Sequence, residues 1–245
     1  LVVYLTAGYP NRPTFLKAAQ TALDEGADLL EVGLPFSDPI ADGPVIQSTS
    51  RQAILNGMNF DSVLDISAGL PNSLPRVLMT YANPLFVRGW SNSFSQIQRA
   101  GFSGCVLPDV PAEELSALLP FRPRSFYLAP FVAPTTAASR LAAVAASAQD
   151  GAFIYLVSLR GITGADRLAA AARLSELSEL SRMIRKVSHA PIFVGFGVRS
   201  ARDAAAFAKI SDGVIVGTAA LIALSRSLNS YARLLRELRS GLDRF

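Results

Sequence analysis

A short theme that recurs along this chain limits its fold more than any other feature of the sequence. Each time, a helical segment ends at glycine or a small polar turn, and a run rich in Val, Ile and Leu follows. Glycine supplies the left-handed conformation that commonly closes a helix. Apolar runs with little alternation suit strands that are buried on both faces of a parallel sheet. The theme predicts parallel strands that alternate with helices, in runs such as LLEVG at 29–33, GCVLP at 104–108, AFIYLVS at 152–158 and GVIVG at 213–217.

Eight strands can be counted in this pattern. They begin near Val2, Asp28, Arg76, Gly104, Phe126, Ala152, Pro191 and Gly213. Helices are expected at 12–24, about 44–69, 91–100, 112–119, 135–148, about 168–188, 200–209 and 219–240. Strict β/α alternation with eight strands in about 250 residues favours one α/β domain over residues 1–245, a (β/α)8 TIM barrel. A doubly wound open sheet is the alternative.

Composition places the chain among globular proteins, since half of its 245 residues are apolar and 17% are charged. No apolar run approaches the roughly 18 residues of a membrane span, so we expect no transmembrane segment. The N-terminal run LVVYL lacks the basic flank and cleavage site of a signal peptide, and it is typical of a strand. Because no initiator Met precedes it, we expect the chain to start inside a longer protein.

Several partner and cofactor classes are disfavoured by the residue counts. A single cysteine, Cys105, cannot form an internal disulfide, which favours a reducing, cytoplasmic compartment. A single histidine, His189, excludes the usual His-cluster metal sites, so we expect no metal. The net charge is +4, but the basic residues are spread over helices without interleaved aromatic side chains. We therefore expect no nucleic-acid partner.

The residues after each strand matter most, because a barrel holds its active site at the carboxyl ends of its strands. Glu31 interrupts the otherwise apolar second strand, so its carboxylate should face the mouth of the barrel. A buried, unpartnered carboxylate has a raised pKa, which suits proton transfer near neutral pH. A salt-bridged or hydrogen-bonded strand glutamate is the alternative. The next loop carries Asp38 and Asp42, for which simple turn chemistry is the alternative.

The last two strands end in glycines that lead into helices, in VGFGV at 194–198 and VGTA at 216–219. Glycine lets backbone N–H groups approach a ligand, and a helix N-terminus favours an anion. Loops after strands 7 and 8 hold a phosphate in many barrels of this kind. Tight turning alone is the alternative. The loop after strand 6 carries two glycines at 161 and 164, and it is either a lid or an ordinary long loop.

Missing residue types narrow the chemistry further. The three lysines, Lys17, Lys186 and Lys209, all fall in predicted helices, which disfavours a Schiff base. No strand-end Ser or Cys has a candidate base beside it, which disfavours a hydrolase triad. Carboxylate acid–base chemistry on a phosphorylated small molecule remains.

The segment LEVGLPFSDPIADGPVIQ at 30–47 resembles the signature of the tryptophan synthase α subunit family. Further similar segments follow in the family's order along nearly the whole chain. They are LTAGYP at 5–10, LMTYANPLFVRG at 78–89, GCVLPDVPAEE at 104–114, YLVSLRGITGAD at 155–166, VGFGV at 194–198 and DGVIVGTA at 212–219.

The resemblance implies a carbon–carbon lyase of tryptophan biosynthesis that cleaves indole-3-glycerol phosphate to indole and glyceraldehyde 3-phosphate. Glu31 and Asp42 fall on the family's catalytic carboxylates, and Tyr155 on an active-site tyrosine. The phosphate-binding positions are Gly164, Gly195, Phe196, Gly197, Gly217 and Thr218. The indole pocket is expected from Tyr4, Thr6, Tyr81 and Phe196, and Thr163 lies in the closing lid. A family Gly-Ser-Ala is Gly-Thr-Ala here, which keeps a hydroxyl at Thr218.

The resemblance also implies a partner. Indole passes to a β subunit in an α2β2 heterotetramer, where pyridoxal phosphate is expected, and no cofactor is expected in this subunit. The short N-terminal helix that usually precedes strand 1 is expected to be missing from this chain. Two alternatives remain, a free-standing indole-3-glycerol phosphate lyase and a non-catalytic activator of the β chain. Loss of Glu31 or Asp42 would mark the activator, and both are present.

Overall fold

All strand pairs in the described parts of the chain are parallel. The computed structural model describes residues 1–148, 151–158, 167–195 and 197–243, with only the backbone for 167–171. The strands are β1 (Val2–Thr6), β2 (Leu29–Gly33), β3 (Arg76–Met79), β4 (Gly104–Val106), β5 (Tyr127–Ala129), β6 (Phe131–Val132), β7 (Ile154–Val157), β8 (Ile192–Gly195) and β9 (Gly213–Val216). Their order in the sheet is β5-β4-β3-β2-β1-β9-β8-β7-β6.

The sheet closes through Pro130. The two ends of the strand order, β5 and β6, are consecutive segments separated by this one residue. Proline has no N–H to donate to a strand ladder, so it divides one strand into two short segments. Its carbonyl still accepts from the Tyr155 N–H at 2.9 Å. Because β5 and β6 together occupy one strand position, the nine segments form an eight-stranded closed sheet. This confirms the (β/α)8 barrel and excludes the open sheet.

Helices surround the sheet. They are α1 (Arg12–Asp24), α2 (Pro44–Leu55), α3 (Phe60–Ser67), α4 (Ala82–Arg88), α5 (Trp90–Arg99), α6 (Ala112–Leu118), α7 (Leu141–Ser147), α8 (Arg167–Val187), α9 (Ala201–Ala208), α10 (Thr218–Arg226) and α11 (Leu228–Leu242), with 3-10 turns at Leu119–Phe121 and Ala138–Arg140. Fully buried rings such as Phe15, Phe94 and Phe207 fill the layer between helices and sheet. In the described ranges, no helix combines the length and hydrophobicity of a membrane span.

Two long helices of the sequence prediction are each divided in two. The predicted helix at about 44–69 breaks at Gly57, whose φ is +84°, and restarts at the N-cap Asn59. The predicted helix at 219–240 breaks at Ser227, which is extended and accepts a hydrogen bond from the Ser230 N–H. A capping side chain satisfies an N–H that has no partner within the helix, so each cap begins a new helix.

One short helix, α4, lies between β3 and α5, where the sequence predicted none. It contains Pro84. The proline occupies the first turn, where an N–H has no helical partner and its loss is tolerated.

Helices α9 and α11 pack closely around Gly241, and this contact holds the segment after β8 in place. A Cβ at position 241 would lie within 2.5 Å of the Ala201 carbonyl oxygen. We expect Gly241→Ala to lower the free energy of unfolding by about 1–3 kcal/mol, because overpacking outweighs alanine's better helix propensity. The matched control is Ser240→Ala at the exposed neighbouring position. Urea unfolding measures both, and equal stability of the two variants would contradict the close contact.

Candidate active site

Glu31 is buried at the centre of β2, with 1% of its surface exposed. The strand register places it between Tyr4 on β1 and Val77 on β3. Neither carboxylate oxygen of Glu31 has a hydrogen-bond partner among the described residues. The sequence left open that Glu31 is salt-bridged or hydrogen-bonded. The described residues show neither for its carboxylate. An unpartnered buried carboxyl is costly and marks a functional position.

Asp42 reaches the site from the loop between β2 and α2, and Tyr81 holds it there. The Tyr81 hydroxyl accepts a hydrogen bond from the Ala41 N–H at 3.0 Å. The same hydroxyl lies close enough to the Asp42 carboxylate to lower its pKa, although Asp42 Oδ1 has no hydrogen-bond partner among the described residues. The Tyr81 ring stacks on Phe36 of the same loop, with 5.2 Å between ring centroids. Tyr81, which follows β3, thus anchors the loop through both its hydroxyl group and the face of its ring.

The two carboxyl groups differ in their ionisation. Burial raises the pKa of Glu31 to about 8, and the negative charge of Asp42 contributes to the rise. Burial also raises the pKa of Asp42, to about 6, against the lowering effect of the nearby Tyr81 hydroxyl. At neutral pH Glu31 is therefore mainly protonated and Asp42 mainly ionised. Environments that separate two neighbouring pKa values in this way define an acid and a base.

Two tyrosines stand beside the carboxyl groups, and glycines make room for them. A Cβ at Gly195 would overlap the Tyr155 ring, and one at Gly33 would overlap the Tyr4 hydroxyl. The Tyr155 ring is also stacked on Phe131, with centroids 4.5 Å apart. Burial, as the largest cause, raises the pKa of both phenols, so both are neutral. The site therefore offers neutral hydroxyl groups around its two carboxyls.

A cavity of about 90 Å³ joins Glu31 to the glycine loops after β8 and β9. Gly197 has a φ of +91°, a conformation that glycine adopts freely. Gly217 precedes α10, which begins at Thr218 without a side-chain cap. The first N–H groups of α10 are thus free of a capping side chain and suit an anion. The cavity is lined by Tyr4, Glu31, Ile46, Met79, Tyr155, Gly197, Val198, Arg199, Ile215, Gly217 and Thr218.

Other predicted site residues lie elsewhere. Thr6 does not line this cavity; its hydroxyl hydrogen-bonds Thr49 of α2 at 2.8 Å. Tyr81 and Gly195 act one step away, on Asp42 and on Tyr155 respectively. Gly164, Thr163 and Phe196 lie outside the described residues.

Five lining residues escaped the sequence analysis. Met79 ends β3 and pairs with Gly33 in the strand register, so its level in the barrel could be read only from the register. Ile215 and Ile46 carry no chemical group that marks a site. Arg199 and Val198 directly follow the glycine loop, and that position was a usable signal.

A family model described as "Tryptophan synthase alpha chain" matches residues 1–242. The tryptophan synthase alpha chain of Synechococcus elongatus is 41% identical over 250 residues, which cover 100% of this chain and 91% of the relative. That of Aquifex aeolicus is 37% identical over 249 residues, with 99% and 92% covered.

Solved structures agree. Tryptophan synthase subunit alpha from Legionella pneumophila superposes with a TM-score of 0.87 at 30% identity, covering 100% of this chain and 92% of that one. A ligand-free tryptophan synthase structure from M. tuberculosis gives a TM-score of 0.84 at 32% identity, with 98% and 92% covered.

The unpartnered state of Glu31 predicts how stability depends on pH. The folded chain keeps a proton on Glu31 between its ordinary value of 4.5 and about 8, whereas the unfolded chain loses it near the lower value. Stability from this group is therefore full below pH 4.5 and declines as pH rises through the folded pKa of about 8. We expect Glu31→Gln, which stays neutral, to exceed wild type in stability by roughly 1–4 kcal/mol at alkaline pH.

Thermal unfolding of wild type and Glu31→Gln across this pH window measures the difference. Glu114→Gln, at an exposed helix position, is the control and should track wild type. A stability gap between wild type and Glu31→Gln that stayed constant from acid to alkaline pH would contradict a neutral Glu31 in the folded chain.

Proposed function

Because the chain belongs to the tryptophan synthase alpha chain family, we propose that Glu31 and Asp42 catalyse the family's reaction in it. That reaction is the retro-aldol cleavage of indole-3-glycerol phosphate to indole and glyceraldehyde 3-phosphate, a carbon–carbon lyase step of tryptophan biosynthesis. The observation that carries the proposal is the buried Glu31, whose carboxylate oxygens have no hydrogen-bond partner among the described residues, and burial together with the charge of Asp42 raises its pKa. The resemblance of the 30–47 segment is confirmed at the level of the family.

Glu31 serves both proton transfers of the cleavage. The reaction needs a proton on C3 of the indole ring and loss of the proton from the adjacent glycerol hydroxyl. Protonated Glu31 supplies the first proton, and the resulting carboxylate accepts the second, so the residue returns to its starting state. The electrons of the breaking C–C bond return to the ring and neutralise it, while the hydroxyl carbon becomes an aldehyde.

Asp42 stabilises the charge that appears between these transfers. Protonation at C3 leaves a positive charge that is shared with the ring nitrogen. An ionised carboxylate that accepts the indole N–H opposes this charge, and its effect is strong in a site that excludes water. Tyr81 holds Asp42 against the mouth of the barrel. Tyr4 and Tyr155 bound the same cavity and suit the walls of an indole pocket.

The phosphate of the substrate fits the opposite side of the cavity. We assign it to the free N-terminus of α10 at Thr218, the preceding Gly217 and the left-handed Gly197. Gly195 contributes by leaving room for Tyr155. Gly164 and Phe196 complete the family's set in this proposal, and we assign Thr163 to the family's closing lid.

The family works with a β chain, and exposed apolar side chains support such a partner here. Ile40, Phe86 and Val87 are 82%, 66% and 76% exposed. They lie on the segments that follow β2 and β3, next to the carboxyl ends of these strands. A contiguous patch of exposed apolar side chains marks an interaction surface, and we infer that these three residues form one. We assign this surface to the β chain of an α2β2 assembly in the cytoplasm, with pyridoxal phosphate in the β chain and no cofactor in this one.

Three carboxylate variants test the catalytic proposal. Glu31→Gln should reduce indole release by about 10²–10⁴-fold, because the amide cannot exchange a proton. Asp42→Asn should lower kcat more than it raises KM, because the charge it opposes develops after substrate has bound.

Asp38→Asn is the matched control on the same loop. Asp38 is exposed and accepts a hydrogen bond from Ser37, so its loss should leave kcat near wild type. Retention of more than about a tenth of wild-type turnover by Glu31→Gln would remove it as the acid–base group.

A second test concerns the partner surface. Phe86→Ser should weaken binding of the cognate β chain by about tenfold or more, since apolar burial at an interface is lost. Indole release by the isolated chain should not change. Phe121→Ser removes an exposed ring, 46% accessible, that follows α6 and precedes β5 at the opposite end of the barrel. Equal β-chain affinity of the two variants would contradict the assignment, as would a wild-type chain that does not bind the β chain.

A further inference from the structure

A groove of about 600 Å³ opens between α10 and α11 beside the glycine loops. It is concave and partly apolar along its floor, with cationic side chains along its walls. Its lining residues are Arg199, Thr218, Ala219, Ile222, Ala223, Arg226, Ser230, Arg233, Leu234 and Glu237. We call it the arginine groove.

The three arginines of the groove have exposed side chains. Among the described residues, none of Arg199, Arg226 and Arg233 has a side-chain ion pair or hydrogen bond. The same helix α11 carries two arginines that do, since Arg236 pairs with Glu25 at 2.6 Å and Arg239 with Asp28 at 2.9 Å. Within α11, the arginine without such a partner, Arg233, lines the groove, whereas the two paired arginines do not.

The arginine groove is continuous with the catalytic cavity. Arg199 and Thr218 line both spaces. The backbone of Arg199 is fixed, because its N–H donates to Asp203 at 3.0 Å and Asp203 also accepts from the Ser200 hydroxyl at 3.0 Å. Because its backbone is fixed and its guanidinium is unpaired, Arg199 can contact an anion in the groove and also near the start of α10.

We propose that the arginine groove is an entrance subsite that binds the phosphate monoester of the substrate before it reaches the cavity. A phosphate monoester is a dianion, and a concave surface lined by one sign of charge raises its local concentration. Glu237 is the one carboxylate among the described lining residues, so the arginines outnumber it. The groove leads to the helix start that we assign to phosphate, and in this respect the inference rests on the proposed function.

The double variant Arg226→Gln/Arg233→Gln tests the groove. Exposed charges act weakly in water, so we expect a rise in KM of roughly threefold to tenfold at low ionic strength, with kcat unchanged. The rise should disappear near 1 M salt, where the Debye length falls to about 3 Å. The control is Arg236→Gln, which removes one positive charge from α11 on the side that pairs with Glu25.

A binding measurement separates the groove from catalysis. Glycerol 3-phosphate serves as the probe in a ³¹P NMR titration of wild type, the double variant and the control. The proposal expects weaker binding to the double variant alone. If the double variant matched Arg236→Gln in both KM and probe binding, the arginine groove would have no role.

A loss of probe binding without a rise in KM would show a site for a different phosphate ester and would overturn the entrance role. Failure of the wild-type chain to release indole would overturn the proposed function, which the probe titration does not measure. Thermal unfolding of each variant checks that all three chains are folded.

Discussion

The proximity of the buried Glu31 to the half-buried Asp42 is the constraint on which the rest of the site depends. Glu31 is almost fully enclosed, and the charge of Asp42 adds to the rise of its pKa. Two ionised groups in this place would repel each other without water to screen them. Protonation of Glu31 relieves the repulsion and also prepares the group as an acid. The electrostatic cost of burial and the catalytic readiness of Glu31 thus have one cause.

Backbone shape supports this arrangement from both sides. Gly33 ends β2 and Gly195 ends β8, and each leaves the space that a tyrosine side chain occupies. Tyr81 brings Asp42 inward by bonding to its loop. The two glycines therefore make room for the tyrosines beside the carboxyl groups, and Tyr81 positions the loop that carries Asp42. Such preorganised groups need little reorganisation during the reaction.

The sequence predicts the barrel well because strand burial and helix alternation are local patterns. The position of Glu31 in the site was also predictable from the sequence, because a carboxylate within an otherwise apolar strand is a clear exception to the pattern. The breaks at Gly57 and Ser227 had local signals in glycine and a capping serine, but continuous helical patterns concealed them. The contact of Tyr81 with Asp42 and the place of Met79 depend on loop geometry and strand register. Those relations arise from tertiary structure and leave no mark on a single sequence.

Charges beside the catalytic cavity differ in their pairing from charges at the amino ends of the strands. At the amino ends of the strands, Asp28 pairs with Arg239, and Arg185 pairs with Asp212. At the carboxyl ends, Glu31 and the Arg199 guanidinium have no such partner among the described residues. A charge that is already paired interacts less with a ligand, whereas an unpaired charge can still pair with an incoming group. The separation lets one end of the barrel maintain the fold while the other end binds and transforms a charged substrate.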